Sequence, residues 1–122
     1  MNDTQKTDPI AVIGVSDDTS KYGYKVFRYL IDQGHHVFPV HPKGGVIDGI
    51  TRYATLAALP TVPHLVVTVV PPAVTDEIVR QCVELGVPAV WMQPGSESDT
   101  AIAYGREHGL TMTHNACIML TE

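Results

Sequence analysis

Cysteine is scarce in this chain. Cys82 and Cys117 are its only two among 122 residues, too few for a disulfide framework. Positive charge is scarce as well: 8 Lys+Arg against 13 Asp+Glu leave a formal charge of -5. Without a broad basic field, a nucleic-acid partner is not expected. Charged residues reach only 17%, which argues against a disordered or coiled-coil chain. No apolar run approaches the roughly 20 residues of a membrane span. The opening MNDTQKTD is polar and lacks the hydrophobic region of a signal peptide. A reduced, cytoplasmic protein with no membrane partner is the expectation.

Catalytic and metal signatures are lacking too. There is no G-x-S-x-G elbow, no Ser-His-Asp order and no Walker lysine. His35, His36 and His41 show neither the i, i+4 spacing nor the paired cysteines of a zinc site. No metal and no catalytic set is therefore expected. Cys82 sits on an apolar helical stripe and reads as core, as does Trp91. Cys117 stands apart after the last strand, with His114 its nearest base in sequence.

What is present is a globular composition, 44% hydrophobic, at a length that suits one domain. The expectation is a flexible tail over 1–8 and a single domain over 9–122. Strand and helix patterns alternate. The apolar run 10–15 reads as a buried strand, and Gly23 opens a helix that Gly34 stops. His36–Val40 is a second strand, a glycine-rich loop spans 43–49, and Thr51–Thr55 suits a short edge strand. Leu65–Val70 is the strongest strand, halted by Pro71-Pro72. The helix after it carries Val74, Ile78, Cys82 and Leu85 on one stripe. A strand at 89–92, a polar helix at 97–108, a strand at 110–113 and a tail from His114 complete the chain. Strands separated by helices imply parallel pairing. The fold class is thus α/β: a Rossmann-like, doubly wound, mainly parallel sheet of five or six strands, with helices on both faces.

Ligands of such sheets bind beyond the carboxyl ends of the strands, where strand order switches. The residues that packing does not explain fall there: Gly14–Gly23, His41–Gly45, Pro71-Pro72, Gln93–Ser96 and His114–Cys117. The first loop lacks the G-x-G-x-x-G fingerprint, so its glycines leave an ordinary loop and a phosphate cradle equally open. The second is more telling. An NAD site places an acid at the end of the second strand, whereas here Val40-His41-Pro42-Lys43 offers a cation. A cation suits a phosphate on the adenosine ribose, carried by coenzyme A (3′) and by NADP (2′).

The order of segments resembles the stand-alone CoA-binding proteins related to the N-terminal domain of the succinyl-CoA synthetase α subunit. The matching pieces span about residues 10–120. They are Val12–Ser16, Tyr22-Gly23, Pro39–Lys43, Ile47–Gly49, Tyr53, Val70–Pro72, Val90–Gln93 with Gly95, and Cys117–Met119. The resemblance implies coenzyme A across the carboxyl rim, with Gly14, Val15, Ser16, Asp17, Tyr22 and Gly23 around the pyrophosphate. It implies Lys43, with His41 and Pro42, on the 3′-phosphate. Val70, Pro71 and Pro72 would border the adenine; Gln93, Gly95 and Asn115 would lie towards the pantetheine arm, and Cys117 at its thiol end. Two positions depart from the pattern. His41 stands where such proteins often have Asn, and Asn115-Ala116 replaces Asp-Arg. The function implied is CoA or acyl-CoA binding without chemistry of its own, with a homodimer or protein partner left open. The alternatives are an NADP-linked or CoA-dependent enzyme and a CoA-sensing regulatory subunit.

Overall fold

The computed structural model describes residues 8–121. The tail expected over 1–8 therefore lies, apart from Asp8, outside the described residues. Chain order runs β1 (Pro9–Ile13), α1 (Tyr22–Asp32), β2 (His36–Val40), β3 (Val46–Ile47), β4 (Ile50–Thr51), β5 (Leu65–Thr68), α2 (Pro72–Leu85), β6 (Ala89–Met92), α3 (Asp99–Glu107), β7 (Thr111–Thr113) and α4 (Ile118–Thr121). Five strands form one sheet in the order β2-β1-β5-β6-β7, each pairing parallel. The chain winds outward from β1 to β2, then returns across β1 to build the other half from β5. The switch point lies between β1 and β5.

Alternation along β1 shows why helices cover both faces. Ile10 and Val12 pack with Val26, Phe27 and Leu30 of α1 and Ile118 of α4. Ala11 and Ile13 pack on the opposite side with Ile78, Val79 and Cys82 of α2 and Ala101 and Ile102 of α3. Strands covered on both faces read as continuous apolar runs, as LVVT of β5 does. Phe27 and Leu30 are wholly buried, each worth about 1.5–3 kcal/mol in transfer terms.

The structure differs from the sequence expectations in three places. Of the edge strand expected at 51–55 the structure keeps the Tyr53 bridge to β2, while the glycine-rich loop and Thr51 form an antiparallel hairpin, β3 on β4. Its turn is Asp48-Gly49, both at positive φ (51° and 78°), the conformation that matches the twist of a two-residue hairpin. Beyond the hairpin, Tyr53 runs parallel to Val40 on the outer edge of β2. The buried stripe of α2 is Thr75, Ile78, Val79 and Cys82, so Val74 is released from the core. The tail from His114 ends in the short helix α4, whose Ile118 is fully buried.

Candidate functional site

Gly14 carries the chain out of β1 at φ 105°, and the N–H groups of Gly14 and Val15 donate to the Val40 carbonyl at 2.9 and 3.1 Å. The first loop is thereby folded over the end of β2. Inside it, Ser20 N–H and hydroxyl both donate to Asp18 Oδ1, and Asp18 N–H donates to Ser16 Oγ. The loop ends at α1, which has no side-chain cap and no acid in its first turn. The first N–H groups of that helix thus keep their affinity for an anion. Gly23 is buried at this point, packed so closely on the Gly14 carbonyl that a Cβ there would overlap it.

The second loop has an unexpected stiffener. His41 Nδ1 accepts a hydrogen bond from the Lys43 N–H at 3.1 Å. An asparagine at this position would close the same turn through its side-chain oxygen. The His-for-Asn departure therefore preserves the turn. Burial, then the charges of Arg52 and Lys43, hold the His41 ring below its usual pKa and keep it a neutral acceptor. Lys43 is exposed, and among the described residues its ammonium is committed to no ion pair.

Two recesses open along the rim. The larger, about 380 Å³, sits at the switch point, lined by Ile13 and Gly14, Val40–Pro42, Ala54–Leu56, Val69–Pro71, and Val74, Ile78 and Gln81 of α2. Most of these side chains are apolar, His41, Thr55 and Gln81 being the polar ones, and Val74 belongs to this wall. The smaller, about 240 Å³, shares Val69–Pro71 with it and is completed by Tyr22 and Pro94–Ser96. Its floor is fixed by a buried hydroxyl chain: Ser96 donates to Thr68 at 2.7 Å and meets Thr75 at 2.7 Å.

The structure thus brings Gly14, Tyr22, His41, Pro42, Val70, Pro71 and Gly95 onto the recess walls, with Lys43 beside them. Ser16 and Asp17 lie in the first loop. Val15 is buried beneath it. Pro72 is the first residue of α2, Asn115 is an exposed turn residue at φ 62°, and neither lines these two recesses. Gln93 is wholly buried. Its Nε2 donates to Cys117 Sγ at 3.2 Å and its Oε1 accepts from Ile118 N–H at 2.8 Å, so it holds the last segment rather than facing solvent.

Arg52, which the sequence reading passed over, is a central part of the site. Its guanidinium is buried, with Nε donating to the Gly44 carbonyl at 2.7 Å and Nη1 to the Val15 carbonyl at 3.0 Å. Nη1 also meets Asp17 Oδ1 at 3.0 Å. This hydrogen bond, aided by the charges of Arg52 and Lys43, holds the Asp17 carboxyl below its ordinary pKa.

The CoA binding domain family matches residues 8–122, all but seven residues at the N-terminus. The chain belongs to that family. Coenzyme A is the ligand that this membership carries, and the residues fit it: an apolar recess for a base, an uncapped helix start and an uncommitted lysine. The CoA-binding domain is 37% identical over 82 residues to the α subunit of an ADP-forming acetate–CoA ligase II from Pyrococcus furiosus. That match takes in 66% of this chain and 18% of the subunit, so the domain spans about a fifth of that relative's length. Among solved structures, a conserved hypothetical protein from Pyrococcus furiosus superposes with TM-score 0.89 at 32% identity, covering 94% of this chain and 99% of that one. A hypothetical protein from Pyrococcus horikoshii gives TM-score 0.89 at 30% identity, covering 94% and 81%.

The two thiols of the CoA-binding domain are set apart by their surroundings. Burial pushes Cys82 up to about 12. Burial also raises Cys117, but Gln93, the Met119 N–H, the Tyr22 hydroxyl and the Leu120 N–H outweigh it and leave that thiol below its ordinary value. Tyr22, 3.7 Å away, moves in the opposite direction because of Cys117, so the sulfur loses its proton first. Iodoacetamide at pH 8 is expected to label Cys117 while Cys82 stays unmodified, as read by peptide mass mapping. Equal labelling of both, or labelling of Cys82 first, would show that these contacts do not govern reactivity.

Proposed function

We propose that this domain is a cytoplasmic coenzyme A or acyl-CoA binding module without turnover of its own. The observation that carries the reading is the apolar recess at the switch point, flanked by the uncapped start of α1 and by Lys43, within a chain matched along residues 8–122. In this reading the adenine lies between Val40, Val70 and Val74. The first loop takes the pyrophosphate, Lys43 takes the 3′-phosphate, and the pantetheine arm runs past Tyr22 and Gly95 towards Cys117. Two side-chain partners of Cys117 are an amide and a phenol, neither of which is a base at neutral pH.

Calorimetric titration is expected to show one CoA site per chain. Acetyl-CoA or succinyl-CoA is expected to release no free thiol over hours. Steady thiol release that Cys117→Ala abolishes would overturn the binding-only reading, and a preference for NADP over CoA would overturn the ligand.

A second reading follows from the relatives. The matched P. furiosus ligase protein is named as an α subunit, and this domain covers a fifth of it. The domain would then present CoA to a separate protein that supplies chemistry. Native mass spectrometry of the purified chain distinguishes a lone or homodimeric module from one that co-purifies in a defined complex.

A further inference from the structure

An acid in a phosphate-facing loop is a liability, and Asp17 is one: its side chain is 60% exposed, in the loop between Gly14 and Gly23. Left alone, its charge would repel an incoming phosphate. The structure answers it from below. Arg52, only 4% exposed, reaches Asp17 with the same nitrogen that holds the Val15 carbonyl. Its Nε is anchored on Gly44 in the other loop, and its own N–H donates to the Gly45 carbonyl at 2.9 Å. One guanidinium therefore ties together the loops after β1 and β2. The β3–β4 hairpin delivers it, with the hairpin tip pinned where Tyr24 donates to Asp48 at 2.8 Å.

We propose that the Asp17–Arg52 pair sets the anion affinity of this site, with Arg52 as the positioning residue that neutralises Asp17 and locks both loops into one cradle. The inference rests on the phosphate-binding reading above and adds the pair that tunes it. Two consequences separate it from a merely structural role. Removing the acid leaves Arg52 held by the Val15 and Gly44 carbonyls with its charge no longer balanced, so anions bind tighter. Removing Arg52 unbalances Asp17 and frees the buried Val15 carbonyl and the part-buried Gly44 carbonyl, so anions bind more weakly and both loops loosen.

The test titrates wild type, Asp17→Asn, Arg52→Met and the double variant with inorganic pyrophosphate and with CoA, at low and moderate salt. Asp17→Asn is expected to bind both ligands about threefold tighter at low salt, with steeper salt dependence. Arg52→Met is expected to bind them about tenfold to a hundredfold more weakly, with faster amide exchange in both loops. The double variant should regain part of that loss. Asp17→Asn binding that is unchanged or weaker overturns the proposal, and this variant decides even if Arg52→Met fails to fold. Wild type that holds pyrophosphate but not CoA would remove the CoA assignment and leave the pair to be judged on pyrophosphate. Wild type that holds neither overturns both.

Discussion

Gly23→Ala is expected to melt roughly 10–15 °C below the wild-type domain, the largest loss from adding one methyl group at this site. Gly23 lies in the first turn of α1, and its φ is outside the left-handed region, so alanine suits its backbone. The damage comes from proximity. A Cβ would overlap the Gly14 carbonyl oxygen, with Gly14 C at 2.8 Å and Val15 N at 3.4 Å behind it. All three are backbone atoms, held where Gly14 and Val15 donate to Val40. No rotamer change can relieve this, so α1 must lift from the end of β1. Overpacking of this kind costs about 3 kcal/mol. For a domain of this size, roughly 4 °C are lost per kcal/mol.

Gly95 supplies the control. It has φ 93° and open space where a Cβ would stand, so Gly95→Ala carries backbone strain without collision. It should cost about 1 kcal/mol and a few degrees. Thermal unfolding followed by circular dichroism measures both variants. A Gly23→Ala protein that melts within about 3 °C of wild type would show that α1 can shift freely and that the helix start is not fixed by this contact.

The sequence made the sheet legible because β1, β5 and β6 are buried on both faces, which forces continuous apolar runs that no surface element shows. Element order led to the carboxyl rim, while the place of the switch point, between β1 and β5, comes from the strand pairing. The residues that shape the site were less visible, for three separate reasons. Asp48-Gly49 is a strong two-residue hairpin signal, yet the two-residue strands around it are too short to show alternation, so the stretch read as loop. Arg52 carried no local signal at all. Its role depends on the hairpin turning it inward against Val15, 37 positions away. An arginine beside a threonine and a tyrosine looks like surface until that turn is known. The family resemblance puts Gln93 towards the pantetheine arm; in the structure its amide meets Cys117 and Ile118, partners 24 and 25 residues on. Side-chain commitments across such separations are set by tertiary packing, and periodicity does not encode them.

Lys43→Ala is expected to weaken CoA binding about tenfold, and up to a hundredfold where the bound ligand shields the contact from water, while leaving dephospho-CoA nearly unaffected. The lysine follows β2 in a turn fixed by the His41 ring, which limits the directions its stem can take. Arg52 already balances Asp17, so Lys43 is the uncommitted cation of this loop among the described residues. A charged hydrogen bond to phosphate contributes about 1.5–3 kcal/mol, with exposure favouring the lower figure. At about 1.4 kcal/mol per decade, the lower figure is the tenfold effect. Dephospho-CoA has no 3′-phosphate to lose contact with. Two proteins and two ligands therefore form a cycle that cancels general damage to the fold. Titration calorimetry on the four combinations reads the coupling directly, and raising the salt should shrink it. Equal losses for both ligands would mean that Lys43 does not meet the 3′-phosphate; the acid-to-cation exchange at the end of β2 would then need a different explanation.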